Sequence, residues 1–412
     1  MKGLFATSVV QVIISMLSGI AVFLLSWVYL NSYYTLEVED NLYRNEALII
    51  HKLFKQNPKI NKQFVFISTG KDLSLVDDTA SSGNLVVSNR YKLLKLLQAV
   101  NAGKVKPKFI LLDLQFYYPF NLSVDDSIKT SIKKDHLQAY FADKAIDDSL
   151  QAEINKDKNL AISVLYADNK IQTPIYKANY GIADYKTYGG QLNKFRLNYP
   201  ELHASSIPCL MTEQMDGTKY TGGEYDTFCN GHLCFNYIWP GYYYDQQTVK
   251  SDTSYQLYHI GSMVDLPNYA QVIERIVKDK VVFIGNFEDD VHDTPAGKIP
   301  GTIVLADIYL SLLNGNHYVP YLWIVFMILV FSILSYTSVY NKLPKMEFDF
   351  GVAFNFIYTF FSEYFSYLGI LLLLSLISVL VFNINISLFL PAFIFSAIDF
   401  FHKKKYKKPK HE

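Results

Sequence analysis

Hydrophobic positions along this chain follow two patterns that belong to different solvents. Residues 4–30, LFATSVVQVIISMLSGIAVFLLSWVYL, carry no charge and exceed the roughly 20 apolar residues that cross a bilayer as a helix. Residues 321–340 (YLWIVFMILVFSILSYTSVY) make a second uncharged span. Two shorter ones follow at about 367–383 and 386–401, with the NINIS segment as a tight turn between them. The stretch between the first and second spans has a different rhythm. Short runs rich in Val, Ile and Phe recur at 64–68 (FVFIS), 108–116 (KFILLDLQF), 160–167 (LAISVLYA), 235–239 (FNYIW), 256–261 (QLYHIG) and 281–285 (VVFIG). Runs of this length and composition suit strands buried on both faces.

Helical spacing separates several of these strands. RYKLLKLLQAV (90–100) aligns Leu93, Leu94, Leu97 and Val100, with Ser88 or Asn89 as cap and Gly103 as stop. PNYAQVIERIVKDK places Pro267 at a first-turn position and lysines at the end, as the helix dipole favours. GTIVLADIYLSLLNG has a broad apolar sector and stops at Gly315. Strand-helix alternation predicts an α/β domain whose mixed or parallel sheet is flanked by helices. Four transmembrane helices accompany it, one before and three after. The expected organisation is an anchor over 1–31, an outer domain over 32–320, three membrane helices over 321–402, and a basic tail over 403–412. A cytoplasmic loop and a weakly polar interfacial segment fall at about 341–366 within the membrane part.

Charge orients this arrangement. Six lysines between 403 and 410 mark the tail as cytoplasmic. Counting back through the spans puts Lys342 and Lys345 inside, residues 32–320 outside, and Lys2 inside. The first apolar run is longer than the h-region of a cleaved signal and has no small-residue cleavage site, so an uncleaved anchor in the cytoplasmic membrane is expected. Lys+Arg and Asp+Glu balance at 38 each, so there is no electrostatic footprint for nucleic acid. The charged fraction of 18% is below the roughly 25% of soluble domains because the spans dilute it.

Chemistry-bearing residues concentrate in VVFIGNFEDDVHDTPAGKIPG (281–301). Asp289, Asp290, His292, Asp293 and Thr294 follow a strand and precede a helix on one short loop. Four readings are open: a rigid turn, a ligand-sensing site, a metal site or a catalytic one. No nucleophile motif accompanies His292, and four hard ligands within five residues rarely wrap one ion, so no catalytic residue, metal or cofactor is assigned. Ligands of open α/β sheets bind beyond the carboxyl ends of the strands. Asp113 ends one strand pattern, Ser68, Thr69 and Gly70 follow another, and the 286–294 loop follows a third. Candidate ligand-binding residues are therefore Arg90, Asp113, Asp290, His292 and Thr294, with an Arg90–Asp113 ion pair as the bland alternative for Arg90. The tyrosines of FYYPF (116–120) and GYYYDQQ (241–247) suit either a stacking platform or ordinary packing. Cys209, Cys229 and Cys234 all lie in the outer segment, which permits one disulfide. Cys229 and Cys234 could close a small loop, with Cys209 competing. His232 between them does not complete a usual zinc spacing.

Several of these features together resemble the second type of CHASE domain, the cyclases/histidine kinases-associated sensory extracellular family. VVFIGNFEDDVHDTPAGKIPG followed by TIVLADIYLSLLNG resembles its strand ending in Ile-Gly, its Asp-x-His-x-Thr-Pro loop, its Pro-Gly and its closing helix. NRYKLLKLLQAVNAGKVKPKFILLDLQF resembles its Arg-led helix and Asp-bearing strand, CFNYIWP its Asn-Tyr strand, and Arg196 its mid-domain Arg. Leu305 stands where members tend to carry His. The resemblance implies a membrane-bound sensor for an unknown extracytoplasmic ligand or envelope protein. Because the chain runs only about eleven residues past the last span, output is expected through a cytoplasmic signalling partner in trans. A homodimer and contact with membrane lipid are also open to it. A non-signalling docking scaffold is the alternative, and an extracytoplasmic hydrolase a more distant one.

Overall fold

The computed structural model describes residues 2–32, 35–43, 45, 63–77, 84–117, 144–167, 170–188, 191–241, 243, 257–294, 296–340 and 355–406. Most of the two tyrosine runs, the loop after the second span and the end of the tail fall outside them. The chain forms two compact units: residues 44–222 with 238–315, and residues 1–43 with 223–237 and 316–412.

The larger unit is built on six parallel strands. In chain order the strands are β1 (Phe64–Ser68), β2 (Phe109–Asp113), β3 (Leu160–Val164), β4 (Asn179–Ile182), β5 (Leu257–His259) and β6 (Val281–Gly285). Their order across the sheet is β5-β1-β6-β2-β3-β4. Every neighbouring pair is parallel. The expected α/β architecture with helices on the sheet is thus the one observed.

Both faces of the sheet are covered, which is why its strands read as continuous apolar runs rather than alternating ones. One face carries Val65, Ile67, Ile110, Leu112, Ile162, Val282 and Ile284. Against it lie the apolar sides of helices α1 (Arg90–Ala102), α2 (Lys144–Ile154) and α3 (Tyr269–Val277). The alternate residues on the other face include the aromatic Phe64, Phe66, Phe109 and Phe283. Phe66 stacks on Phe283 at 5.3 Å between centroids, and Phe64 meets Tyr309 at 5.8 Å. Tyr309 belongs to α4 (Gly301–Leu313), which is buried along nearly its whole length.

Local signals account for most boundaries. Asn89 caps α1 by accepting from the Lys92 amide at 3.0 Å, as the sequence suggested. Pro267 does not open α3. The helix starts two residues later, after Asn268 takes a left-handed conformation (φ 61°). FNYIW forms only the short strand Tyr237–Ile238, outside the six-stranded sheet.

The polar stretch after β6 differs from the expected loop. It folds as a hairpin of Val291–Thr294 and Gly297–Pro300, which runs directly into α4. The Thr294 hydroxyl donates to the Gly297 carbonyl at 2.7 Å and accepts from the Ala296 amide at 3.2 Å, closing the turn. Gly297 sits at φ 105°, a conformation that side-chain-bearing residues avoid.

The second unit holds the apolar helices expected to span the membrane. Among the described residues, three are long and apolar enough to cross a membrane: Val9–Leu30, Tyr321–Tyr340 and Phe361–Phe382. The fourth expected span is a shorter apolar stretch, Phe389–Phe401, within the helix Phe389–Tyr406. At 1.5 Å per residue it covers about 20 Å of a roughly 30 Å hydrocarbon layer. The third helix begins at Asn355, so the second half of the expected interfacial segment is helix continuous with the span. The NINIS turn is tied to the preceding helix, since the Ser378 hydroxyl donates to the Ile384 carbonyl at 2.6 Å.

Residues 223–237 group with this unit and carry two of the cysteines. No disulfide is present: Cys209, Cys229 and Cys234 are separate buried thiols. Phe228–Cys229 and His232–Leu233 form a small antiparallel hairpin. Cys234 then bridges Tyr318 on the segment leading into the second span. Hydrogen bonding with Cys234 draws the Cys229 thiol down to about 4.

Candidate functional site

The carboxyl ends of three adjacent strands line up. Ser68, Gly285 and Asp113 are direct partners in the β1, β6 and β2 ladders. Ser163 follows Ile162, which pairs Leu112 on the other side. Three strands therefore deliver their last residues, and β3 its next-to-last, to one edge, and the convergence expected there is observed.

Asp113 is the centre of the first cluster. It accepts from the Ser163 hydroxyl at 2.5 Å and from the Thr302 hydroxyl at 2.7 Å. Thr302 lies in the first turn of α4, so strand and helix meet at this carboxylate. The approach is tight, because a Cβ on Gly285 would stand 2.0 Å from Thr302 Oγ1. Burial pushes the Asp113 carboxyl up to about 6, with Asp290 adding to the rise and the two hydroxyls and His292 opposing it.

The hairpin brings Asp290 and His292 to the same place. His292 Nε2 is 3.2 Å from Asp290 Oδ1, and both side chains are partly exposed. The bond to Asp290 raises the His292 imidazole above its ordinary value. The Gly301 amide donates to the Asp290 backbone carbonyl at 2.8 Å. A Cβ on Gly301 would meet Asp290 Oδ2 at 2.5 Å and His292 Nε2 at 2.9 Å. Tyr185 closes the side of the cluster, its ring 5.3 Å from the imidazole and its hydroxyl donating to the Gly301 carbonyl at 3.3 Å.

A second polar group sits at the ends of β1, β5 and β6. Ser68 donates to Glu288, and His259 Nδ1 lies 3.5 Å from the other Glu288 oxygen. Lys71 Nζ is 3.4 Å from His259 Nε2.

The five sequence-derived candidates separate in space. Asp113, Asp290 and His292 form one cluster. The Thr294 hydroxyl is committed to the hairpin turn. Arg90 pairs with Asp147, its Nη1 reaching both carboxylate oxygens at 2.9 and 3.0 Å, in place of the Asp113 partner suggested by the sequence. Its guanidinium lies over the rings of Phe116 and Tyr176, and the Tyr176 hydroxyl donates to the same carboxylate. Arg196 pairs with Glu201 at 2.8 Å. Ser163, Thr302, Tyr185, Glu288 and His259 were not singled out from sequence. The first two were findable only as strand-end and helix-start hydroxyls.

This geometry ties together the segments whose order along the chain carried the family resemblance. The Asp-bearing strand, the Ile-Gly strand, the hairpin and the closing helix share one contact point. A search of curated proteins and of solved structures returns no match to the chain. The CHASE2 domain model matches residues 25–337. That span covers most of the chain and includes this cluster and parts of both flanking membrane helices, so the protein belongs to the CHASE2 family of sensory domains.

Proposed function

We propose that the protein is the input element of a membrane-bound sensor. In this reading residues 32–320 are extracytoplasmic and the basic tail is cytoplasmic. The ligand binds at the carboxyl edge of the sheet, on Asp113, Asp290 and His292. The observation that carries the proposal is the alignment of Ser68, Gly285 and Asp113 beneath the Asp290–His292 hairpin. A carboxyl raised to about 6 beside a second carboxylate and an imidazole is a perturbed group in a site-forming position. Two carboxylates favour a ligand rich in hydrogen-bond donors, or a cationic one. The signal requires different ligand affinities in two arrangements of the domain, passed on through the membrane helices to a separate signalling protein.

The test is affinity purification after mild crosslinking in the native membrane, comparing the wild type with Asp290→Asn and His292→Gln. Circular dichroism would verify that each variant is folded. The reading expects a cytoplasmic signalling enzyme among the captured proteins, in an amount that the two variants change. Capture of envelope proteins alone, identical in all three chains, would replace the sensor with a docking scaffold.

A further inference from the structure

Three side chains with soft or borderline donor atoms come together in the unit that holds the apolar helices. The Sγ atoms of Cys229 and Cys234 and a ring nitrogen of His317 all lie within 4.8 Å of one another. All three residues are buried. The histidine is not the one that the sequence places between the cysteines. His232 is exposed and pairs Cys229 across the hairpin, whereas His317 arrives from the segment that precedes the second membrane span. Backbone pairing holds it there: the Phe235 amide donates to the His317 carbonyl at 2.9 Å, and the Val319 amide to the Leu233 carbonyl at 2.9 Å. The Tyr318 hydroxyl stands 3.2 Å from Cys229 Sγ.

We propose that Cys229, Cys234 and His317 form a binding site for a thiophilic divalent cation of the zinc type. Two thiolates and one imidazole are the donors such an ion selects. Tetrahedral coordination with bonds of about 2.3 Å to sulfur and 2.0 Å to nitrogen puts ligand atoms roughly 3.5–3.8 Å apart. The cluster reaches that spacing by a small contraction. A fourth position is left for water or the Tyr318 hydroxyl. Hard-ligand ions such as calcium and magnesium are not suited to it.

The location gives the ion a structural consequence. The same short segment is bound to the end of the first span, where the Asn236 amide donates to Asn31 Oδ1 at 2.9 Å and Trp27 Nε1 to the Tyr225 carbonyl at 2.6 Å. Residues 316–320 lead straight into the helix that starts at Tyr321. A bound ion would clamp the hairpin to the head of the second span, so that metal loading sets the stiffness of the junction between two membrane helices. The proposal is independent of any ligand at the sheet edge.

The test uses the full chain, purified in detergent under reductant and equilibrated with Zn(II) or Co(II) alone. About one metal per chain should survive gel filtration. The cobalt form should show a thiolate-to-metal charge-transfer band in the near ultraviolet. Cys229→Ser, Cys234→Ser and His317→Gln should each lose most of the bound metal, while His232→Gln retains it. Since a cysteine variant could simply misfold, the wild type provides a second readout: bound zinc should protect two thiols from alkylation. Absence of metal from the reduced wild type, retention by His317→Gln, or a Cys229–Cys234 disulfide in the chain isolated from cells without added oxidant would each overturn the site.

Discussion

Arg90 and Asp113 are candidates of equal standing in the sequence, and the structure gives them contrasting surroundings. Arg90 is almost fully buried (1% exposed), and its charge is answered at once by Asp147, with two aromatic rings beside the guanidinium. Such a pair fixes α1 against α2. Asp113 instead sits against two hydroxyls, a second carboxylate and a histidine, and its carboxyl is held near 6 by burial. A charge with a matching partner needs no ligand to account for it, whereas a titratable group shifted by burial and a neighbouring carboxylate is the kind of group on which the binding site proposed above rests.

Breaking the Arg90 side should have the largest effect. Arg90→Ala leaves Asp147 poorly solvated beside an apolar face, which costs about 3–5 kcal/mol. The thermal midpoint of the detergent-solubilised chain should fall steeply, and Arg90→Lys should recover only part of the loss because the planar fork is missing. A midpoint unchanged in Arg90→Ala would remove the structural assignment.

Next in size is Gly285→Ala. Its methyl would drive Thr302 Oγ1 off Asp113, at a cost of about 1–3 kcal/mol from overpacking. Loss of the Thr302 bond, which lowers the Asp113 value, should also move the carboxyl further up. A titration followed by NMR would detect this second effect, which overpacking alone does not predict.

Asp113→Asn sharpens the contrast through its sign. Because the folded-state value of about 6 is raised from 3.8, the folded chain holds this proton more tightly than the unfolded chain. The resulting stability is complete below about pH 4 and is lost as pH rises through 6. Asn does not titrate, so the variant should be more stable than wild type at pH 7.5 by about 1–2 kcal/mol, after allowance for partial exposure. The gap should close by pH 4. Chemical denaturation at the two pH values checks this, and an Asn variant less stable at pH 7.5 would refute it.

The smallest effect belongs to His292→Ala. Its pair with Asp290 is part-exposed and contributes about 0–1 kcal/mol. Since the imidazole value is raised, that contribution is present at acidic pH and fades as pH rises through the folded-state value. A pH series of unfolding midpoints should show the variant converging on wild type above neutrality.

Much of this architecture was legible in the residues. FVFIS, FILLD and VVFIG announced strands covered on both faces, and the amphipathic run from Arg90 announced one of the covering helices. The uncharged spans announced the membrane, because a bilayer demands a length of apolar helix that chance seldom supplies. Polar residues at the ends of those strands marked the candidate edge, since side chains placed just past a strand must emerge there whatever the strand order. Burial and periodicity are local constraints, so a local pattern records them.

Pairing is not local, and there the sequence fell silent. It could not show that Asp147 rather than Asp113 answers Arg90, since the two acids are alike until the helices are placed. It could not show that Ser163 and Thr302 meet Asp113 from different elements, nor that the polar stretch after Gly285 folds back as a hairpin. The cysteines make the same point most sharply. The neighbouring His232 was the visible candidate and is exposed, whereas His317, more than 80 positions from either cysteine, is the one brought beside the thiols. Which atoms share a few ångströms of space is decided by strand order and backbone pairing across the whole chain, and only the tertiary structure holds that information.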